Sequence, residues 1–330
     1  SYSIYLFLKL GQVLVSNVIV HVYCTHYYPY LHREKLNKEI LKEILGNVKN
    51  IFVGKIASFV YSSTDSLVIS AFINTVSVAY YGNYTTIVYS LKNLTNGLLT
   101  PITPIIGNYL VEEKSEANKE NAFLLYTHIR FLISLAIIIP IIVLIDDFIT
   151  IWVGAEFILS PIITGLLAAE FYIHLVHSAA IDYINGMGLF KLDKYIELLG
   201  AFVNVTFSII FVHNLGIAGV IAGTVMSQCL FWIGRTAIVY FHGICLDKKR
   251  FLIYWGRNLY YLIVFIFCLG VCYFLYTKIE WNISIAKIVA GGVICESFIV
   301  VLGSVLLIKF QEQRQLLIIV KNIICRNKNK

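Results

Sequence analysis

The chain has 330 residues, of which 58% are hydrophobic and only 14% are charged. Soluble domains carry about 25% charged residues, so this composition excludes an ordinary water-soluble domain and favours a membrane protein. The net charge of +7 would suit nucleic acid, but most of the basic residues lie in alternate loops, as in membrane proteins, and no nucleic-acid partner is expected.

Long apolar segments recur along the whole chain. A helix needs about 20 apolar residues to cross a bilayer, and the segments of that length are roughly 4–28, 51–73, 79–110, 124–146, 157–182, 195–214, 216–240, 256–277 and 284–308. The strict alternation typical of membrane β-barrel strands is absent from the sequence. The predicted fold class is therefore all-α, a polytopic membrane helix bundle of about nine spans.

Lysine and arginine cluster in every second loop. They occur in 32–50, 111–122, 191–194, 248–257 and the C-terminal tail, whereas the loops near 74–83, 147–156 and 212–216 have none and only 278–287 breaks the pattern. Loops rich in Lys and Arg stay in the cytoplasm. The bias predicts a multi-pass membrane protein with a cytoplasmic C-terminus.

The beginning of the chain suggests that it continues a longer protein. Ser1 lies almost within the first span, and nine spans with a cytoplasmic C-terminus require that this span starts outside. Without a leader, such a start is typical of the C-terminal part of something longer. The charged stretch 32–50 that follows carries an apolar stripe and predicts an amphipathic helix on the membrane surface.

The second span carries a polar stripe on one face. Lys55, Ser58, Ser62, Asp65 and Ser66 fall within about a 100° arc of a helix. Lys55 either extends its amine to the cytoplasmic surface or lines a cavity. Asp65 lies about 20 Å from that end, too deep for its short side chain to reach the surface, and is assigned to a cavity or to the outer headgroup region.

Lys92 and Glu170 are predicted near the middle of the bilayer. Each stands about thirteen residues into an apolar segment, where an ionisable group costs at least about 2.5–3.5 kcal/mol and usually faces a watered cavity. Lys92 therefore needs an anion nearby, either a carboxylate such as Asp65 or a substrate phosphate. Pro101 and Pro104, further along the third span, predict a bend or break in that helix.

Two histidines share a helix face with Glu170. The residues Glu170, His174 and His177 stand at i, i+4 and i+7, which permits either a metal site or a polar, proton-handling cavity wall. No glutamate stands between the histidines as in HExxH, so no metal is expected.

Two arginines lie about two turns inside the predicted cytoplasmic ends of their spans. Arg130 and Arg235 either extend to the surface or turn inward. If they turn inward, they would form a cationic funnel with Lys55 and Lys92, in which the arginine forks suit phosphate.

Four segments together resemble the polysaccharide biosynthesis flippases of the multidrug/oligosaccharidyl-lipid/polysaccharide (MOP) exporter superfamily. The segments are GKIASFVYSSTDSLVISAFINTVSVAYYGNYTTI at 54–87, PIIGNYLVEEK at 104–114, GMGLFKLDKYIELLGAFVNVTFSIIF at 186–211 and LGIAGVIAGTVMS at 215–227. The resemblance implies two six-helix lobes working by alternating access, with two further C-terminal helices. The chain would then comprise the last span of the first lobe (1–31), the interlobe linker (32–50), the second lobe (51–242), two peripheral spans (243–310) and a basic cytoplasmic tail (311–330).

The same resemblance implies a transporter rather than an enzyme. Its expected substrate is undecaprenyl-(pyro)phosphate-linked oligosaccharide moved from the inner to the outer leaflet for surface polysaccharide such as capsule, with the bilayer and polysaccharide assembly proteins as partners. Lys92, Arg130, Arg235 and Lys55 would attract the phosphate, and Asp65 and Glu170, with His174 and His177, would balance charge or couple transport to H⁺ or Na⁺; no other cofactor is expected. The alternatives are an ion-coupled multidrug antiporter of the same superfamily and an integral-membrane polysaccharide polymerase.

Overall fold

The computed structural model describes residues 2–28, 30 and 37–318, and within these ranges the chain is helical and contains no strand. The helices in chain order are α1 (Tyr2–Tyr27), α2 (Lys38–Phe72), α3 (Thr75–Leu99), α4 (Ile102–Glu112), α5 (Glu116–Trp152), α6 (Pro161–Gly186), α7 (Phe190–Leu215), α8 (Ile217–Ile238, extended by a π-helical turn over Val239–Gly243), α9 (Lys248–Thr277) and α10 (Ile285–Leu307). The all-α prediction is confirmed.

The chain divides into two compact units, Ser1–Val48 and Lys49–Lys330. In the first unit, α1 is apolar along its length and has no buried side chain among those described. The second unit contains α3 to α10 and the cavity described below. The predicted boundary between linker and second lobe falls inside α2, which runs without a break from Lys38; most of the preceding part of the linker lies outside the described residues.

Seven of the described helices are long and apolar enough to cross a membrane, namely α1 and α5 to α10. The other two predicted spans, 51–73 and 79–110, are also helical but lie in α2 and in α3 with α4. Their polar stripes, which include Asp65 and Lys92, lower the mean hydropathy of these helices. Charged side chains thus weaken the membrane signal of α2 and α3, whereas α6 keeps a stronger signal although it carries Glu170.

The third predicted span is broken where the sequence places its prolines. Helix α3 ends at Leu99, Pro101 precedes α4, and the amide of Thr103 bonds the carbonyl of Thr100 at 3.0 Å. Pro101 has no N–H to continue the hydrogen-bond ladder of α3. Pro104 lies in the first turn of α4, where a missing N–H removes no intrahelical bond.

Helix α6 occupies the centre of the larger unit and buries most of its side chains against α4, α5 and α8. Glycine permits the closest of these crossings, because a Cβ on Gly107 of α4 would stand 2.9 Å from the carbonyl oxygen of Gly186. A central buried helix explains how Glu170 and His177 of α6 can reach neighbours on several sides.

Helices α7 and α8 make the most extensive contact of any two helices described. A Cβ on Gly219 would lie 2.3 Å from the carbonyl oxygen of Phe211, and one on Gly223 would lie 2.6 Å from the amide nitrogen of Ser208. Any side chain at these positions would push the helices apart. Gly219 and Gly223 therefore permit the close approach of the two helices, a common role of small residues at such spacing in membrane helices.

Helices α9 and α10 form the predicted peripheral pair. They pack mainly on α5 and on each other, and the Phe131 and Tyr261 rings stack between α5 and α9 with centroids 4.3 Å apart. Both helices leave broad apolar faces exposed, which suits lipid contact.

The first part of the predicted basic tail packs as a helix over 311–318. Glu312 is buried and accepts a hydrogen bond from Arg257 at 2.5 Å, and Gln313 is buried against His128 at 2.9 Å. These polar side chains thus have partners on α5 and α9, and the basic cytoplasmic tail stays a prediction; residues 319–330 lie outside the described part.

Candidate functional site

A polar cavity of about 470 Å³ lies between α2, α3, α6 and α8. Hydroxyl, amide and charged side chains dominate its lining, and Val88, Leu167 and Ile221 are its aliphatic members. Polar cavities inside membrane helix bundles are where transported groups bind. Four of the predicted site residues with formal charges line it: Lys55, Asp65, Lys92 and Glu170.

Lys92 and Glu170 form a buried ion pair on the wall of this cavity. The lysine Nζ donates to Oε1 at 2.7 Å and to Oε2 at 2.5 Å, and both residues are 6% exposed. The predicted need of Lys92 for an anion is thus met by a carboxylate, but by Glu170 of α6 rather than by Asp65 of α2. The spacing pattern of one helix could not reveal this pair, because the residues are 78 positions apart.

Gln228 of α8 holds Glu170 from a second side. Its side-chain nitrogen donates to Glu170 Oε1 at 3.1 Å and to the Tyr61 hydroxyl at 2.8 Å, and its oxygen lies 2.7 Å from His177 Nε2. Since the amide oxygen can only accept, Nε2 of His177 is the donor. Sequence reasoning missed Gln228 and Tyr61. An amide within an apolar span, one turn after Thr224, was the signal that could have found Gln228.

Asp65 makes a separate set of hydrogen bonds on the same cavity. It is 5% exposed and accepts from the Tyr81 hydroxyl at 2.8 Å and from the Thr224 hydroxyl at 2.8 Å. Thr224 in turn accepts from the side-chain amide of Asn204 at 2.8 Å. Asp65 is in a cavity, as favoured from its depth, and its bonded partners in the described part of the chain are neutral.

The two predicted histidines occupy different positions. His174 faces the cavity, and its Nε2 has no hydrogen-bond partner among the described atoms. His177 is buried and bonded to Gln228. Among the described residues, no group of three His, Cys, Asp or Glu side chains is placed to hold a metal ion.

Lys55 lies at the end of the cavity that is nearer to the basic loops. It is exposed, and it takes part in no salt bridge within residues 37–318. A smaller cavity of about 140 Å³ adjoins it and is bordered by Asp193 and Glu197. The lysine thus offers an accessible positive charge ten residues, or about 15 Å of helix, before Asp65.

Arg130 and Arg235 do not extend to the surface, so that interpretation is wrong for both. Arg130 is 2% exposed and pairs with Asp182, which also accepts from the Tyr126 hydroxyl at 2.6 Å. Arg235 is 4% exposed and pairs with Asp193 at 2.7 Å and Glu197 at 3.0 Å. Neither lines the 470 Å³ cavity, so the predicted funnel of four cations does not form; carboxylates within the bundle bind the two arginines instead.

The charges of the cavity lining balance. The lysines at 55 and 92 stand against the carboxylates at 65 and 170. The cationic lining predicted for an oligosaccharide flippase is not found among the described residues of this cavity. Nor is an acidic lining, which would suit the cations that a drug antiporter carries. The sign of the lining therefore does not separate the two transporter classes in this chain.

No family model matches the sequence, and no curated protein sequence matches it. Solved structures do. The lipid II flippase MurJ in an inward closed conformation superposes with a TM-score of 0.56 at 14% identity, over 84% of this chain and 57% of MurJ. A MOP superfamily transporter from Pyrococcus furiosus, described as having reversed polarity of its binding pocket, superposes with a TM-score of 0.51 at 16% identity.

The chain has the fold of the MOP transporters. At these identities the likeness establishes the fold, and the fold implied by the sequence resemblance is confirmed. The match to the Pyrococcus protein covers 74% of this chain and 56% of that transporter. The chain thus spans less than two thirds of either solved structure, and this MOP fold is the one that brings α2, α3, α6 and α8 around the polar cavity.

Proposed function

We propose that this chain belongs to a flippase that moves undecaprenyl-(pyro)phosphate-linked oligosaccharide from the inner to the outer leaflet of a bacterial cytoplasmic membrane by alternating access. The observation that carries the proposal is a buried lysine, Lys92, on the wall of a polar cavity in a fold shared with a lipid II flippase. An ammonium group in such a place binds phosphate as a point charge.

The roles of the cations follow from their surroundings. Lys55 is exposed at the cavity end nearer the basic loops and would meet the phosphate first. Lys92 would hold it deeper in the membrane. Arg130 and Arg235 are bound by carboxylates and do not line the 470 Å³ cavity, so we assign them to structure rather than to the substrate. Asp65 and Glu170 would balance charge or couple transport to H⁺ or Na⁺.

A multidrug antiporter is the second candidate, and Asp65 is the observation that favours it. This buried carboxylate accepts hydrogen bonds from Tyr81 and Thr224 and has no salt-bridge partner within the described part of the chain. A buried anion with neutral partners can attract an organic or inorganic cation. The third candidate, a polysaccharide polymerase, gains no support from a fold shared with transporters.

The test uses the purified protein in proteoliposomes. The rate at which a fluorescent undecaprenyl-diphosphate trisaccharide becomes accessible to external dithionite measures its flipping, with fluorescent phosphatidylcholine as the control lipid. We expect selective acceleration for the sugar lipid and a loss of at least about tenfold in Lys92→Ala, since removing a buried charged partner costs about 2–5 kcal/mol. Lys191→Ala, at an exposed lysine outside the cavity, is the matched control variant.

Two results would contradict the proposal. One is a folded protein that moves the sugar lipid no faster than it moves phosphatidylcholine. The other is ethidium accumulation driven by an ion gradient without any flipping of the sugar lipid, which would establish the antiporter instead.

A further inference from the structure

The geometry of the Lys92–Glu170 pair is that of a lysine already holding an anion. Its ammonium contacts both oxygens of the carboxylate, at 2.7 and 2.5 Å. The oxygens of a phosphate are also negatively charged and also accept hydrogen bonds from an ammonium group. Because both residues border the 470 Å³ cavity, an anion inside it has direct access to the same ammonium group.

We infer that the phosphate of the substrate and the carboxylate of Glu170 compete for Lys92, so that substrate binding releases Glu170 and is coupled to the uptake of one proton by this carboxylate. The inference rests on the proposed function, because it takes the substrate to be an anionic phosphodiester. It adds the identity of the coupling ion and the group that carries it.

Lys92 keeps favourable contacts when Glu170 leaves. Its Nζ lies 5.2 Å from the centre of the Tyr89 ring and 5.7 Å from the centre of the Phe171 ring. Aromatic faces at this distance stabilise an ammonium ion. The lysine can therefore remain charged in place while one anion replaces the other.

Once Lys92 binds the phosphate, Glu170 has no second cation in contact with it among the described residues. After the exchange its remaining hydrogen-bond donor is the neutral amide of Gln228. The titratable groups that share the cavity with it are Lys55, Tyr61 and Asp65 from α2, Tyr81, Tyr89 and Lys92 from α3 and His174 on its own helix, where His177 follows, while α8 contributes the neutral Thr224 and Gln228. Lys55 is exposed at the end of the cavity, about 9 Å of helix rise before Tyr61.

None of these neighbours can replace Lys92 as a fixed cation. Asp65 carries the same sign as Glu170, and the two histidines are far weaker bases than lysine. A buried carboxylate that keeps only one neutral donor, as Glu170 would, is costly enough that it is neutralised instead, whereas Asp65 accepts hydrogen bonds from two hydroxyl groups. The proton is released by the buffered solution on the open side, passes through the cavity and binds a carboxylate oxygen of Glu170, which leaves the side chain uncharged.

The empty and the loaded site differ in the protonation of Glu170. The empty site is neutral through its internal ion pair and needs no dissolved ion to cross back. The loaded site contains the lysine, the phosphate and a protonated Glu170. One proton therefore moves with each substrate and in the same direction.

Calorimetric titration tests the coupling directly. The full chain in detergent at neutral pH is titrated with citronellyl-diphosphate N-acetylglucosamine, a water-soluble diester whose phosphates stay ionised throughout the neutral range. Repeating the titration in buffers of different ionisation enthalpy gives the number of protons bound. We expect about one proton taken up per ligand by the unaltered chain.

Four variants separate the groups involved. Glu170→Gln removes the competing carboxylate, so we expect binding about tenfold tighter, which is about 1.4 kcal/mol, with no proton uptake. Asp65→Asn tests the other carboxylate of the cavity and should retain the uptake. Lys92→Ala should lose binding. Lys92→Arg keeps the cation and should retain binding, and it tests the role of the charge if the alanine variant does not fold.

The outcomes distinguish this inference from the proposed function. Binding by the unaltered chain without proton uptake, or uptake that is lost in Asp65→Asn and kept in Glu170→Gln, overturns the inference and leaves the flippase proposal standing. Failure of the unaltered, folded chain to bind the sugar diphosphate overturns both. Weaker binding in Glu170→Gln contradicts the competition.

Discussion

Two buried ion pairs tie α6 to its neighbours, and their surroundings differ. Lys92–Glu170 joins α6 to α3, and Arg130–Asp182 joins it to α5. The second pair is reinforced by the Tyr126 hydroxyl, which accepts from Arg130 at 2.9 Å and donates to Asp182 at 2.6 Å. The first pair borders a cavity; the second does not.

The difference separates a structural pair from an exchangeable one. Both pairs remove two charges from water, which is costly in either place. Only the pair beside the cavity has space for another ion to take over one partner. A charge deep in a membrane helix is therefore a functional candidate chiefly when a cavity adjoins it.

Loss of the structural arginine should have the largest effect on stability. Arg130→Ala leaves Asp182 buried with neutral donors only, and we expect the free energy of unfolding to fall by about 3–5 kcal/mol. Denaturant unfolding of the protein in detergent, followed by tryptophan fluorescence, measures the change. A loss below about 1 kcal/mol would mean that this pair contributes no more than a surface one.

Loss of the cavity lysine should destabilise the protein less. In Lys92→Ala, cavity water can solvate Glu170, and the carboxyl group can also take up a proton, so we expect about 1–3 kcal/mol. The same unfolding measurement, repeated at lower pH, should show a smaller loss because a neutral Glu170 needs no partner. A loss equal to that of Arg130→Ala at every pH would contradict the difference between the two pairs.

The side-chain amide of Gln228, which donates to Glu170, can be removed without changing Lys92 or Glu170. Gln228→Leu leaves Glu170, His177 and Tyr61 each without one hydrogen bond, and we expect a loss of about 1–2 kcal/mol in the free energy of unfolding. Met226→Leu, at an exposed position of the same helix, is the control and should change stability by less than about 0.5 kcal/mol. Equal effects of the two variants would count against the supporting role of Gln228.

Glu113, outside the spans, gives the smallest expected effect. Its carboxylate accepts from the Ser115 amide at 2.8 Å and from the Asn118 side chain at 3.1 Å, and these bonds, the Ser115 amide first, lower the pKa of Glu113 below its ordinary value of 4.5. A lowered pKa stabilises the folded protein above the ordinary value, and this contribution is lost as the pH falls.

The corresponding comparison is Glu113→Gln against the unaltered chain. The melting temperature of the unaltered chain should be slightly higher at neutral pH, and the advantage should vanish as the pH falls below about 4.5. An advantage that persists in acid would show that hydrogen-bond geometry, rather than charge, makes the difference.

The sequence predicted the helices well because the membrane imposes a strong local signal. Apolar length located the spans, and Pro101 located the break between α3 and α4. Each of these depends on neighbours along the chain, so one sequence suffices to find it.

The partners of the buried charges could not be predicted in the same way. Glu170 is 78 residues from Lys92, and Asp182 is 52 from Arg130, so each pairing depends on how the helices pack. Depth in the membrane correctly placed Lys92 and Glu170 beside a cavity, whereas it left Arg130 open between the surface and the interior. It could not reveal that Arg130 already has a carboxylate partner away from the cavity.

The most direct measurement compares matched neutral versions of the two pairs. Lys92→Met/Glu170→Gln and Arg130→Met/Asp182→Asn each replace an ion pair by a methionine and an amide, and both should remain folded because a neutral replacement leaves no unpaired charge. The measured quantity is the rate of flipping of the undecaprenyl-diphosphate trisaccharide in proteoliposomes. We predict a loss of at least about tenfold for the first double variant, since the cation that binds phosphate is gone, and a near-normal rate for the second. Equal rates for the two, or a loss confined to the Arg130 variant, would contradict the assignment of substrate binding to Lys92.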